Sequence, residues 1–148
     1  MQRYVSQPLP LPRPDPPFKR ADLELLGVQK QGGSFVLEIF LGNPQADEHS
    51  AHEITTGWAG TMPVFAHGAC WGGYGHCDTP TGPQNPFDRR LPHPLTPVNL
   101  SMEVTAALRF LGDPEEVVVT ILAREAQPDT PEREQILRFR TLTLALYD

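Results

Sequence analysis

Ser34-Phe-Val-Leu-Glu-Ile-Phe-Leu41 decides the fold class of this chain. Phe35, Leu37, Ile39 and Leu41 recur at period two, and β-branched and aromatic residues dominate, so the stretch reads as a strand. Val36 and Phe40 make the opposite face partly apolar too, which places this strand inside a sheet. Gly42-Asn-Pro44 ends it. Just upstream, Ala21-Asp-Leu-Glu-Leu-Leu-Gly-Val-Gln29 reads as a first strand, joined through a turn at Gln31-Gly-Gly33.

Downstream, residues 58–65 form the next strand candidate. Residues 98–104 alternate Val98, Leu100, Met102 and Val104 against Asn99, Ser101 and Glu103, the pattern of a half-buried strand. Residues 105–111 read as a short helical turn stopped by Gly112. Val117-Val-Val-Thr-Ile-Leu-Ala123 is apolar throughout, as in a buried strand. Residues 136–147 make the last strand. Its apolar phase switches between Leu137/Phe139 and Leu142/Leu144/Leu146, which a β-bulge near Arg140 would explain. The last two strands are expected to pair as a hairpin. About six or seven strands with long loops and almost no helix imply an all-β fold, a single β-sandwich of jelly-roll or cupredoxin-like type. Its expected core is Phe35, Leu37, Ile39, Leu100, Val104, Val118, Ile121, Leu142 and Leu144.

The chain has 148 residues, enough for one domain with a sizeable core. Its net charge is −6 with no basic cluster, whereas nucleic-acid binding needs phosphate-neutralising Lys and Arg. That class is set aside. No apolar run approaches a membrane span, and the N-terminal residues lack the apolar centre of a signal peptide. The expectation is therefore cytoplasmic, where two nearby cysteines stay reduced. Six of the 17 prolines fall within residues 8–17. Residues 1–20 are thus expected to be an extended, polyproline-like arm or linker, packed as a strap or serving as a tether, with the sandwich spanning 21–148. A ligand for a proline-binding module is the functional alternative.

Residues 66–97 form one long Gly- and Pro-rich connection, and a loop of that length is usually functional or disordered. It holds both cysteines, Cys70 and Cys77, together with His67 and His76. Thiolates and imidazoles select copper(I) and zinc, so these four are the candidate metal ligands. His67-x-x-Cys70 spans a distance that one loop can fold around an ion. The adjacent His76-Cys77 pair is less convenient, because neighbouring side chains diverge. Against a metal site stand buried cysteines acting as small hydrophobes, a disulfide if the protein is exported, and histidines bonded to loop carbonyls. His49 and His52 would share a metal only if their segment were helical; solvated loop residues are the simpler reading. Trp71 and Phe87 are expected to cover the apolar face beneath the loop. Tyr74 lies between Gly73 and Gly75, so its ring is the one expected to project. A Cys–His nucleophilic pair would need an orienting acid, and only Asp78 is near in sequence.

In order along the chain, these segments resemble the C-terminal domain of polyphenol oxidases and tyrosinases. That domain follows the type-3 copper catalytic domain. Residues 34–41 look like its first apolar strand, and Trp58-Ala-Gly-Thr-Met-Pro-Val-Phe65 with His67 looks like its Ala-Gly-Ser-Phe element leading to a Pro-His pair. Leu100-Ser-Met-Glu-Val-Thr-Ala-Ala-Leu-Arg-Phe-Leu111 resembles its amphipathic strand and short helix. Glu116-Val-Val-Val-Thr-Ile-Leu-Ala-Arg124 resembles its Val-rich strand, and residues 136–146 its closing strand. The resemblance covers residues 20–148 and departs from the family at residues 68–97.

It implies a sandwich that covers the active site of a type-3 copper oxidase or assists its maturation, in cis or in trans, without catalysing a reaction itself. The histidine-rich dicopper helices are absent. On that reading Tyr74 would enter the phenol pocket of the partner as a substrate mimic, and the Cys/His loop would hand over copper(I). The alternatives are a free-standing metal-binding module using the same loop, and a β-sandwich interaction domain whose loop is purely structural.

Overall fold

The computed structural model describes residues 1–11, 18–30, 32–66, 73–75, 78, 87, 95–112, 114–127 and 135–148. Its strands are β1 (Gln2–Val5), β2 (Leu9–Pro10), β3 (Arg20–Val28), β4 (Phe35–Leu41), β5 (Trp58–Val64), β6 (Val98–Glu103), β7 (Glu116–Val117), β8 (Val119–Glu125) and β9 (Thr141–Tyr147). One short helix, α1 (Thr105–Phe110), and a 3-10 turn at Ile54–Thr56 complete the regular elements. Among the described residues, no helix is long and apolar enough to cross a membrane.

The fold is all-β. A four-stranded sheet runs β1-β8-β4-β5, a three-stranded sheet runs β6-β3-β9, and β2 pairs with β7. All pairings are antiparallel. Alternation explains how the two main sheets meet. From β3, Ala21, Leu23, Leu25 and Val28 enter one core; from β4, Phe35, Leu37, Ile39 and Leu41; from β8, Val119, Ile121 and Ala123. Burying each large apolar side chain contributes about 1.5–3 kcal/mol, so this interleaved set holds the sandwich. β4 lies inside its sheet, as its two-faced apolarity requires. Its outward Phe40 is fully buried with Ala46, Leu122 and the half-buried Trp58, under the segment that follows β4.

Helix α1 is fixed at its start to β3. The Val104 N–H donates to the Ala21 carbonyl at 2.8 Å, and Thr105 Oγ1 accepts from the Ala21 N–H at 3.0 Å. Ala107 and Leu108 then point into the core. Gly112, at φ 80°, supplies the left-handed conformation that stops the helix.

Several expectations need correction. The last two strands do not form a hairpin: β8 and β9 lie in different sheets. Both sides of β8 are already taken, by β4 and by β1. Ahead of β9, Ile136 and Leu137 are both buried, as adjacent residues of a regular strand between core and solvent would not be. Their N–H groups donate to Gln2 Oε1 at 2.8 and 2.7 Å. β9 begins at Thr141, but hydrogen bonding to β3 runs on irregularly upstream, the Arg140 N–H donating to the Leu26 carbonyl at 2.8 Å and the Gln29 N–H to the Arg138 carbonyl at 2.9 Å, so the phase switch sits at an irregularity shared with β3. A register shift does occur nearby, on β3 between Leu25 and Val28 opposite β6. There Gly27 adopts φ 72°, and a Cβ on it would lie 3.1 Å from the Arg140 Cβ.

The apolar run 117–123 is likewise divided, Val117 pairing in β7 and Val119 onward in β8. Val117 and Val119 are buried, and Val118, between them, is half-buried. Leu100, Leu142 and Leu144 also prove half-buried, because β6 and β9 flank β3 on its two sides and receive cover from one neighbour only.

The proline-rich arm carries two of the strands. β1 lies along β8, and the Ser6 N–H donates to the Val119 carbonyl at 2.9 Å. Beyond β2, the Leu11 N–H reaches the Glu115 carbonyl at 2.8 Å. Residues 12–17 lie outside the described residues.

Candidate functional site

Both roots of the long loop emerge at one end of the sandwich. At the outgoing root Val64 pairs with Phe35 and is buried. Ser34 locks the next step: its Oγ accepts from the Ala66 N–H at 3.0 Å and donates to the Ala66 carbonyl at 3.3 Å. At the returning root Leu95 is buried and Val98 pairs with Val28. Phe35 and Val28 bracket the β3–β4 turn, so both roots stand beside that turn on paired strands.

Of the residues singled out from sequence, His67, Cys70, Trp71, His76 and Cys77 lie outside the described residues. Tyr74 is described, and its side chain is 109% exposed. Gly75 beside it takes φ 79°, and its carbonyl accepts the Asp78 N–H at 3.2 Å. Phe87 was expected to cover the apolar face below the loop; it is 89% exposed instead. Phe65, at the outgoing root, is 82% exposed. Three aromatic rings are thus presented to solvent by residues 65–87. Burying such rings is worth more than burying most other side chains, and Tyr is enriched where partners dock.

His49 and His52 are not on one helical face, since the helical geometry in that segment is confined to Ile54–Thr56. His49 points to solvent beside Glu48. His52 turns the other way. Its ring stacks on Trp58, with centroids 5.3 Å apart and planes 12° apart, and its Nε2 lies 3.3 Å from Glu38 Oε2. The second Glu38 oxygen accepts from Arg124 Nε at 3.1 Å. Glu38 therefore ties β4 to β8 and to the 42–57 segment at once.

Arg3 fastens the same segment from β1, donating through Nε to the Ala46 carbonyl at 2.9 Å and through Nη2 to the Pro44 carbonyl. Beneath, Trp58 Nε1 is buried with no hydrogen-bond partner among the described residues, a cost of about 1–3 kcal/mol that the surrounding apolar contact must offset. Sequence reading missed this constellation. The available signal was Glu38, the one charge in an otherwise apolar strand. Both oxygens of Glu38 are engaged, one by the Arg124 guanidinium and one by the His52 ring, so the arrangement suits clamping a loop to a sheet rather than proton transfer.

Among the described residues, no group of three His, Cys, Asp or Glu side chains is gathered for a metal ion. No family model, curated protein or solved structure matches the chain.

Proposed function

We propose that this chain is a non-catalytic accessory domain that covers the active site of a type-3 copper oxidase, a tyrosinase or polyphenol oxidase, in cis or in trans. The observation that carries the reading is Tyr74, held fully exposed on a glycine-flanked turn above a sandwich that has its own core. A tyrosine side chain is a phenol, the chemical class such an oxidase acts on. Its hydroxyl both donates and accepts hydrogen bonds. Inserted into the partner's pocket, it would exclude free phenols without any reaction in this chain. Phe65 and Phe87 would be buried around it, adding roughly 25 cal/mol for each Å² of apolar surface removed from water.

Copper delivery is the second task assigned to the same loop, with the ion as cargo. His67, Cys70, His76 and Cys77 are the proposed holders, on the chemistry of soft ligands and copper(I). A cytoplasmic setting, where thiols remain reduced, suits that transfer. The competing reading, a free-standing metal-binding module, requires copper(I) uptake and no oxidase contact.

The experiment is inhibition of a purified tyrosinase catalytic domain by the full chain. Wild-type protein should suppress phenol oxidation, and Tyr74→Ala should relieve the suppression while keeping the strand-dominated circular dichroism spectrum. Equal suppression by both proteins would remove Tyr74 from the role.

A further inference from the structure

We propose that β9 is a self-association edge, through which two copies of this chain pair antiparallel about a two-fold axis at Leu144. Among the described residues β9 is the outermost strand beside β3, and it reads Thr141-Leu-Thr-Leu-Ala-Leu-Tyr147. Edge strands in monomeric proteins are usually blunted by charge, proline, shortness or a bulge. The other outer strands are blunted in those ways. β1 has four residues and carries Arg3, β5 contains Pro63 and a register shift, and β6 follows Pro97 and ends in Glu103. β9 has seven residues, no charge, no proline, and an unbroken register with β3 from Tyr147 to Thr141.

Its core-facing leucines, Leu142, Leu144 and Leu146, are symmetric about Leu144. Antiparallel pairing of two copies would place Leu144 opposite Leu144, Leu142 opposite Leu146, Thr143 opposite Ala145 and Thr141 opposite Tyr147. An isologous contact needs this self-complementarity, because the same patch must serve both partners. The side chains supply a reason for closure as well. Leu142, Leu144 and Leu146 point toward the sandwich core yet remain half-exposed. A second β9 would cover them while satisfying the outward backbone groups of the edge.

Charge does not oppose the pairing. The chain carries −6, but the nearest strand-borne acids facing the same sheet surface are Asp22 and Glu24 on β3, and Asp22 is already paired with Arg20 at 2.7 Å. Glu24 would stand in line with the copy's Asp22, three strand spacings away, about 14 Å, beyond the ~8 Å screening length at physiological salt. Pairing of one seven-residue edge buries less than a standard protein interface, so the dimer should be reversible and concentration-dependent rather than permanent.

The test is sedimentation equilibrium of the full chain across a wide concentration series, with hydrogen exchange measured at both ends of it. The mass should double with concentration, and β9 amides should gain protection at the high end. Leu144→Lys, which sets two like charges opposite each other, should remain a single chain throughout. If that variant fails to fold, the exchange series on wild-type protein decides alone. A single-chain mass at every concentration would overturn the proposal. A dimer whose β9 amides exchange equally fast at both ends would overturn it too, as would a dimer that persists in folded Leu144→Lys.

Discussion

Glu38 is held between Arg124 and His52, both about half-exposed, while its own side chain is nearly buried. Replacing it with Ala leaves the Arg124 and His52 side chains to water, which can solvate both, so the loss should be near the value for exposed pairs, about 1 kcal/mol. Urea unfolding of Glu38→Ala measures this, and an unchanged midpoint would mean that the clamp contributes nothing. Gly57 is less forgiving. It adopts φ 84°, and a Cβ there would stand 2.3 Å from the Leu41 carbonyl oxygen. Gly57→Ala should therefore cost at least the about 1–3 kcal/mol of a strained backbone position, read as a fall in thermal midpoint. Asp47 responds to acid. The His49 N–H donates to its carboxylate at 2.9 Å and, with help from Ser50, holds its pKa below the ordinary aspartate value, against a smaller opposing desolvation. Its contribution is complete above the unfolded value, about 3.9, and is lost as pH falls through the lower folded value. A carboxyl titration followed by NMR should place Asp47 below that ordinary value; a midpoint at or above it would contradict the turn geometry.

At the scale of elements, β4 tests the core. Ile39 is fully buried between strands, and Ile39→Ala should cost about 2–5 kcal/mol. Leu100 sits half-exposed on a flanking strand, so Leu100→Ala should cost clearly less in the same denaturation experiment. Strand existence was legible because period-two alternation is local: residues 34–41 and 98–104 both carry it. Strand partners were not legible, because pairing joins residues far apart in sequence. Gln2-Arg-Tyr-Val5 is too short and polar to announce a strand, yet it takes the side of β8 where a hairpin with β9 was expected. The Glu38–Arg124 contact spans 86 positions, and no local pattern marks it. Phe87 misled for a related reason, since an aromatic residue in a loop carries no sequence mark of which way its ring turns.

As a whole molecule, the sandwich separates two jobs. The core and its clamps hold the fold, and residues 65–87 present Phe65, Tyr74 and Phe87 outward. The candidate site is marked in the sequence by a concentration of Cys, His and aromatic residues in one loop; glycine and proline there fix no periodic pattern from which a geometry could be read. Copper handling can be separated from shielding. Reduced wild-type protein should take up copper(I), and Cys70→Ser combined with Cys77→Ser should abolish tight binding while leaving the thermal midpoint intact, since the core strands do not depend on that loop. The most direct measurement of the docking role is calorimetric titration of a tyrosinase catalytic domain with the full chain, with and without a saturating small phenolic inhibitor. Entry of Tyr74 into the phenol pocket requires binding that the inhibitor suppresses and that Tyr74→Ala weakens. No binding, or binding indifferent to both the inhibitor and Tyr74→Ala, would contradict it.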